Sequence, residues 1–304
     1  MRLPTVAPMP RRAVALLLGL ACTLGAHADV RVLDVDGRAV VLTQPARRIV
    51  SLAPHLTELL FAIGAGERVV GTVEYSDFPD AARQVPRVGD SALLDLERIA
   101  ALKPDLVLVW RHGNSPQQLQ RLAALQLPTY AHEARALADI ARGLRELGVL
   151  TGRAAEAAQR ADAFERAVAD LRARHAGRAR VRVFYQVWPQ PLITLNGEHL
   201  ISQMLDLCGA DNVFAAQRLL TPTVTEEAVL LADPDAIVTG WIPAHGGAPL
   251  EPWKRLTALH AVRSGQLLTV NPDLLHRQSD RVVIGARELC EKLDGVRGAA
   301  APTR

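Results

Sequence analysis

The chain repeats one pattern along its length. A short, nearly continuous apolar run is followed by a loop, then by a helix with one apolar stripe, then by another apolar run. Residues 48–52 (RIVSL) read as a buried strand. They lead into a helix whose Leu56, Leu59, Leu60 and Ile63 share a face, which Gly64 and Gly66 end as left-handed caps. Residues 69–73, 105–110 and 128–132 are further strands, with helices over 96–102 and 117–125. Helices alternating with apolar strands predict parallel sheets covered on both faces. Ahead of them, residues 30–45 alternate apolar and polar positions around Asp36-Gly37, the pattern of a hairpin.

The pattern then restarts. Residues 96–110 read LERIAALKPDLVLVW and residues 226–240 read EEAVLLADPDAIVTG. Laid over each other, Glu97 falls on Glu227, Pro104 on Pro234 and Asp105 on Asp235. Two copies of a helix, a Pro-Asp turn and a strand predict two similar lobes, and a cleft between lobes is a common ligand site. Helix–Pro-Asp–strand is also a generic α/β unit, so the repeat alone leaves a chance match open. Between the copies, residues 153–174 run about six turns without Gly or Pro and are rich in Ala, Glu and Arg. They form either a bridge between halves or an ordinary surface helix. The second half adds a strand at 181–187, a loop through 188–199, a helix at 200–207, a strand at 266–270 and a closing helix at 282–293. The expected architecture is α/β, two Rossmann-like lobes joined by a single long helix with the ligand cleft between them. The expected boundaries are a signal peptide over 1–28, a first lobe over 29–150, the bridging helix over 151–178 and a second lobe over 179–304.

The amino-terminal segment changes the charge balance. Arg2, Arg11 and Arg12 precede an apolar run over 13–20, and Ala26-His27-Ala28 gives a small-x-small cleavage site before Asp29. The run is too short to span a bilayer. Lipidation at Cys22 is the alternative, but Gly19 stands where a lipobox usually has Leu. The formal charge of +3 disappears with the three arginines of that segment, which contains no acid. The remainder, roughly 275 residues, is near neutral and large enough for two lobes. It has no basic cluster of the kind that grips nucleic acid, and it is expected to be a periplasmic monomer. Cys208 and Cys290 are the cysteines that remain. In an exported chain they are expected to pair, two free buried thiols being the alternative.

No catalytic signature is present: no G-x-S-x-G, no Walker loop, no H-E-x-x-H and no G-x-G-x-x-G. His55, His112 and His276 fall near strand ends, where a transition metal is conceivable, although a lone histidine is more often simply exposed. The scarce aromatics say more. Tyr75, Trp110, Trp188 and Trp241 lie at or just past strand ends, where large, stiff side chains supply contact area at low entropic cost.

At this point the chain resembles a known family. RRIVSLAPHLTELLFAIGAGERVVGTVEYSDFP, LERIAALKPDLVLVWRHGN, CGADNVF and the late RELC are similar to segments of the periplasmic cobalamin-binding proteins of ABC importers. The likeness runs from about Arg47 to Leu293. It implies two lobes joined by one long helix, a Cys208–Cys290 disulfide, no catalytic cofactor, and cobalamin as cargo passed to a membrane permease. It also implies roles for single residues. Tyr75 and Trp110 match aromatics that line the corrinoid pocket, Asp273 and Arg277 match polar residues at its second-lobe edge, and Glu97 and Glu227 match acids that dock on permease arginines. The chain departs from the pattern where a well-known member has aromatics, at Ser91, Thr221 and Ile193. Trp188 and Trp241 stand nearby to compensate. Those losses leave haem or a ferric siderophore as the alternative cargo.

Overall fold

The computed structural model describes residues 29–300. The signal segment over 1–28 and the last four residues, expected to be disordered, lie outside the described residues. In chain order the elements are β1 (Val30–Leu33), β2 (Ala39–Leu42), β3 (Ile49–Ser51), α1 (Pro54–Ala62), β4 (Val69–Thr72), α2 (Leu96–Ala101), β5 (Leu106–Trp110), α3 (Pro116–Ala123), β6 (Thr129–His132), α4 (Leu137–Thr151) and α5 (Ala154–His175). The second half continues with β7 (Val181–Gln186), β8 (Trp188–Pro189), β9 (Leu192–Ile193), α6 (Leu200–Leu207), β10 (Ala210–Asn212), α7 (Glu226–Ala232), β11 (Ala236–Gly240), α8 (His260–Arg263), β12 (Leu267–Val270), α9 (Pro272–Leu275) and α10 (Val282–Ala300).

The repeat is real in three dimensions. Two four-stranded parallel sheets are ordered β4-β3-β5-β6 and β10-β7-β11-β12, so each places its strands second, first, third, fourth. Local detail repeats as well. Asp105 accepts the backbone amides of Arg47 and Arg48, and the Arg48 guanidinium reaches back to the Leu102 and Lys103 carbonyls. In the second half Asp235 accepts the amide of Arg182, and Arg182 reaches back to the Ala232 and Asp233 carbonyls. Lys103 and Asp233, each just before the proline, both adopt positive φ, at 46° and 35°. Each Pro-Asp turn thus ties a helix end to the central strand of its own sheet.

Alternate strand positions go to opposite faces, as the pleat requires. Leu106 and Leu108 of β5 join Val183 of β7 and Val238 of β11 in one large apolar cluster, which also takes in Leu144 of α4, Phe164 of α5, Met204 of α6 and Leu289 of α10. Val107 and Val109 face a separate first-lobe core, and Phe184 and Ile237 a separate second-lobe core. The inner faces of the two sheets therefore share a common core that passes through α4 and α5.

Other expectations meet the structure in detail. The hairpin forms as β1 and β2, antiparallel. The disulfide joins Cys208, at the end of α6, to Cys290 of α10. The region after β7, expected to be plain loop, carries the two-residue hairpin β8–β9. Gly64 is left-handed as expected, with φ +74°, but Gly66 is not: it opens a short 3-10 turn, where a β-carbon would collide with the Phe61 ring.

Candidate functional site

In an open parallel sheet, ligands sit beyond the carboxyl ends of the strands, where strand order reverses. In both sheets here that point lies between the first and third strands. The loops leaving those ends meet across the lobe boundary, and polar groups line their contact.

Glu58 is the centre of that contact. It sits on α1 among Leu56, Leu59 and Leu60, with its side chain 1% exposed. Its carboxylate accepts hydrogen bonds from Arg277 Nη1 (2.9 Å), Arg281 Nη1 (2.9 Å) and Ser279 Oγ (2.5 Å), all from the second half of the chain. Burial raises the Glu58 pKa, and these donors only partly counter it. Arg277 also donates to Asp77 (2.7 Å) and pairs with Asp273 (2.9 Å). Burial works against ionised Asp77, yet the Arg277 hydrogen bond and charge hold its carboxyl below the usual range. The Arg281 guanidinium lies 3.6 Å over the ring of Phe78. Beside this cluster Glu133 accepts from Gln278 (3.0 Å) and contacts His112 Nδ1 (2.9 Å).

The aromatics divide into two kinds. Tyr75 is 76% exposed, at φ 64°, and Trp188 is 58% exposed, its Nε1 donating to the Gln190 carbonyl. Both rings are open to solvent. Trp110 is half-buried at the end of β5, its ring packed so closely on Gly113 that a β-carbon there would collide with it. It meets His55 edge to face, and His55 in turn lies near His132. Among the described residues, Trp110 Nε1, His55 Nε2 and both ring nitrogens of His132 find no hydrogen-bond partner. Trp241 is half-buried and pinned, its Nε1 donating to the Gly246 carbonyl at 2.8 Å.

The structure therefore brings Asp273 and Arg277 together, but turns Arg277 across the lobe boundary toward Glu58 and Asp77. Glu97 and Glu227 are exposed in the first turns of α2 and α7, whose N-caps Asp95 and Thr225 accept from Arg98 N and Ala228 N. The three histidines weighed as metal ligands are held apart. His55 is buried against Trp110, His112 pairs with Glu133, and His276 binds the Tyr185 hydroxyl at 2.7 Å. Among the described residues no three His, Cys, Asp or Glu side chains converge as a metal site. A cavity of about 480 Å³ lies elsewhere, between the hairpin and α3, and none of the four aromatics lines it. We assign the site to the strand ends, where the two sheets reverse order together.

Sequence reasoning missed Glu58, Phe78, Glu133, Gln278, Ser279 and Arg281. One signal was readable. A carboxylate set inside the apolar stretch of α1 has to find donors, and the run RQSDR supplies them.

The model of the periplasmic binding protein family matches residues 49–274. The chain belongs to the periplasmic binding protein family. Family relatives include a vitamin B12-binding protein of Vibrio cholerae, 34% identical over 82% of this chain and 90% of that protein. Another, from Yersinia pseudotuberculosis, is 33% identical over 95% of both chains. The crystal structure of the periplasmic vitamin B12 binding protein BtuF of Vibrio cholerae superposes with a TM-score of 0.76 at 34% identity, covering 83% of this chain and 98% of that one. The fold also matches the periplasmic heme-binding protein BhuT in complex with two hemes, with a TM-score of 0.73 at 22% identity. Members of the family are substrate-binding transport proteins. Within this member no described helix is long and apolar enough to cross a membrane.

Proposed function

We propose that this chain is a periplasmic receptor that captures cobalamin, or a related corrinoid, between its lobes and delivers it to the permease of an ABC importer. The observation that supports this reading is the set of groups at the strand ends: exposed Tyr75 and Trp188, half-buried Trp110 and Trp241, and charges from both halves of the chain that already pair with one another. A corrin is a broad, partly apolar disc edged with amides. Aromatic walls bury such a disc without stranding a charge, and the paired charges offer polar groups to its edge. Tyr75, Trp110, Trp188 and Trp241 are the ligand walls in this reading, and Asp273 and Arg277 the second-lobe edge. Glu97 and Glu227 are the docking acids, one on each lobe. The protein acts as a monomer without a catalytic cofactor. Its lobes comprise residues 29–150 and 179–304, with residues 151–178 as the bridge.

A haem or ferric-siderophore receptor is the competing reading, favoured by the non-aromatic residues at Ser91, Thr221 and Ile193. Titration with cyanocobalamin, haemin and a ferric hydroxamate separates the two, read by calorimetry and thermal shift. The expected result is 1:1 binding of cyanocobalamin in the nanomolar-to-micromolar range. No heat and no shift with cyanocobalamin, together with a clear response to haemin, would reverse the assignment.

A further inference from the structure

Residues 277–281, Arg-Gln-Ser-Asp-Arg, link α9 to α10, and each of the five side chains is tied outside the second sheet. Arg277 reaches Glu58 and Asp77. Gln278 donates to Glu133 and accepts from the Ala134 amide, both at 3.0 Å. Ser279 donates to Glu58. Asp280 pairs with Arg160 of α5. Arg281 donates to Glu58 and covers Phe78. The partners come from α1, from the loops after β4 and β6, and from α5.

Within this knuckle Glu58 is unlike the rest. It is buried, it receives three of the contacts, and every one of its donors belongs to the opposite lobe. A first lobe tilted away would keep a buried carboxylate with nothing to neutralise it, a state of high free energy. A buried ion pair is a poor source of net stability compared with apolar packing, but it penalises wrong geometries steeply. Glu58 is thus placed to select one angle between the lobes. The same carboxylate holds Arg277, and through it Asp273, at the edge of the cleft.

We propose that Glu58 is a positioning residue for ligand binding: it acts across the lobe boundary, through residues 277–281, to fix the separation of the cleft walls before ligand arrives. The proposal rests on the reading that ligand sits between the lobes. Its consequence is a site already formed in the free protein, whose affinity is not reduced by the fraction of molecules in other arrangements.

The test pairs a distance with an affinity. Spin labels at Arg121→Cys on α3 and Lys254→Cys in the second lobe, both exposed positions, report the interlobe distance by pulsed electron resonance. The labelled protein without ligand is expected to give one narrow distribution. Glu58→Gln, which keeps the shape and removes the charge, is expected to broaden it or add a second population. Saturating cyanocobalamin is then expected to restore the narrow distribution, with binding weakened about tenfold or more. Glu58→Asp should recover part of both. Arg281→Gln gives the same two readouts with Arg277 and Ser279 still in place, should Glu58→Gln fail to fold. A folded Glu58→Gln protein with an unchanged apo distribution overturns the proposal, and so does unfolding of both variants, which would make the cluster a folding element. If the labelled protein binds no cyanocobalamin, the cargo reading fails while the apo distance still decides the role of Glu58.

Discussion

The ring of Trp110 meets that of His55 edge to face, with centroids 5.2 Å apart and planes at 85°. Trp110, proposed above as a ligand wall, is therefore also part of the first lobe's packing. Trp110→Ala is expected to weaken cyanocobalamin binding by roughly 1–3 kcal/mol, as for a buried aromatic anchor. It should also lower the melting temperature, because the ring leaves a void against His55 and Gly113. Trp110→Phe should restore most of the stability and part of the affinity. Calorimetry and thermal unfolding on the two variants check this. Full affinity in Trp110→Ala would remove the residue from the site.

Acid should loosen the fold through buried histidines. Burial lowers His132 from 6.5 to about 4 and is the main cause that lowers His276 to the same range; His55 is also held well below its ordinary value. These rings are neutral in the fold, while the unfolded chain binds protons at about 6.5. The stability they confer is thus complete above about pH 6.5 and is lost as pH falls from there toward about 4. Each of His132 and His276 accounts for up to about 3 kcal/mol over that window. Melting temperatures measured from pH 7.5 to 4 should fall steeply below 6.5, and His132→Leu should flatten the slope. A parallel curve for that variant would contradict the assignment.

The disulfide should matter for stability and little for binding. Cys208 precedes β10, at the amino end of the second sheet and opposite the strand ends that form the cleft. The two cysteines are 82 positions apart, and on the chain-entropy model closing such a loop contributes about 4–5 kcal/mol. Cys208→Ala combined with Cys290→Ala is expected to lower the melting temperature by roughly 10–20 °C. Stoichiometry with cyanocobalamin should stay at 1:1. A large loss of binding by folded double variant would show that the bond shapes the cleft.

Docking can be tested apart from binding. Glu97 and Glu227 are exposed, at equivalent places in the two lobes, and charge-assisted pairs with arginines are strong and often bidentate. Each also lies in a first helical turn, where an acid favours the helix dipole by under about 1 kcal/mol. Glu97→Arg together with Glu227→Arg is expected to abolish uptake while leaving affinity and melting temperature nearly unchanged. Normal uptake at normal periplasmic levels would leave the dipole as their only role.

Much of this molecule could be read from the sequence because local patterns determined it. The parallel strands are apolar runs, α1 follows its apolar spacing, and the Pro-Asp repeat marks the same turn in both sheets. The site was less legible, since its key contacts join residues more than 200 positions apart, such as Glu58 with Ser279 and Arg281. Position along a strand put Tyr75, Trp110, Trp188 and Trp241 at strand ends, but it could not tell exposed Tyr75 and Trp188 from pinned Trp241, whose indole is fixed by a carbonyl in the following loop. The resemblance placed Arg277 at a ligand edge, while its partners across the boundary, Glu58 and Asp77, lie 219 and 200 positions away and left no local pattern. Gly66 read as a cap because only the Phe61 ring explains its lack of a side chain.

The paired clasps, Asp105 with Arg48 and Asp235 with Arg182, have a mechanical consequence. Each locks its acid-bearing helix to the central strand of its sheet, so neither helix can swing independently. Glu97 and Glu227 are then the tips of a pair of callipers whose arms are the two sheets. A rotation of one sheet against the other reappears at the tips undamped, as a change in their spacing. A partner that grips both tips gauges the opening of the jaws without touching what they hold.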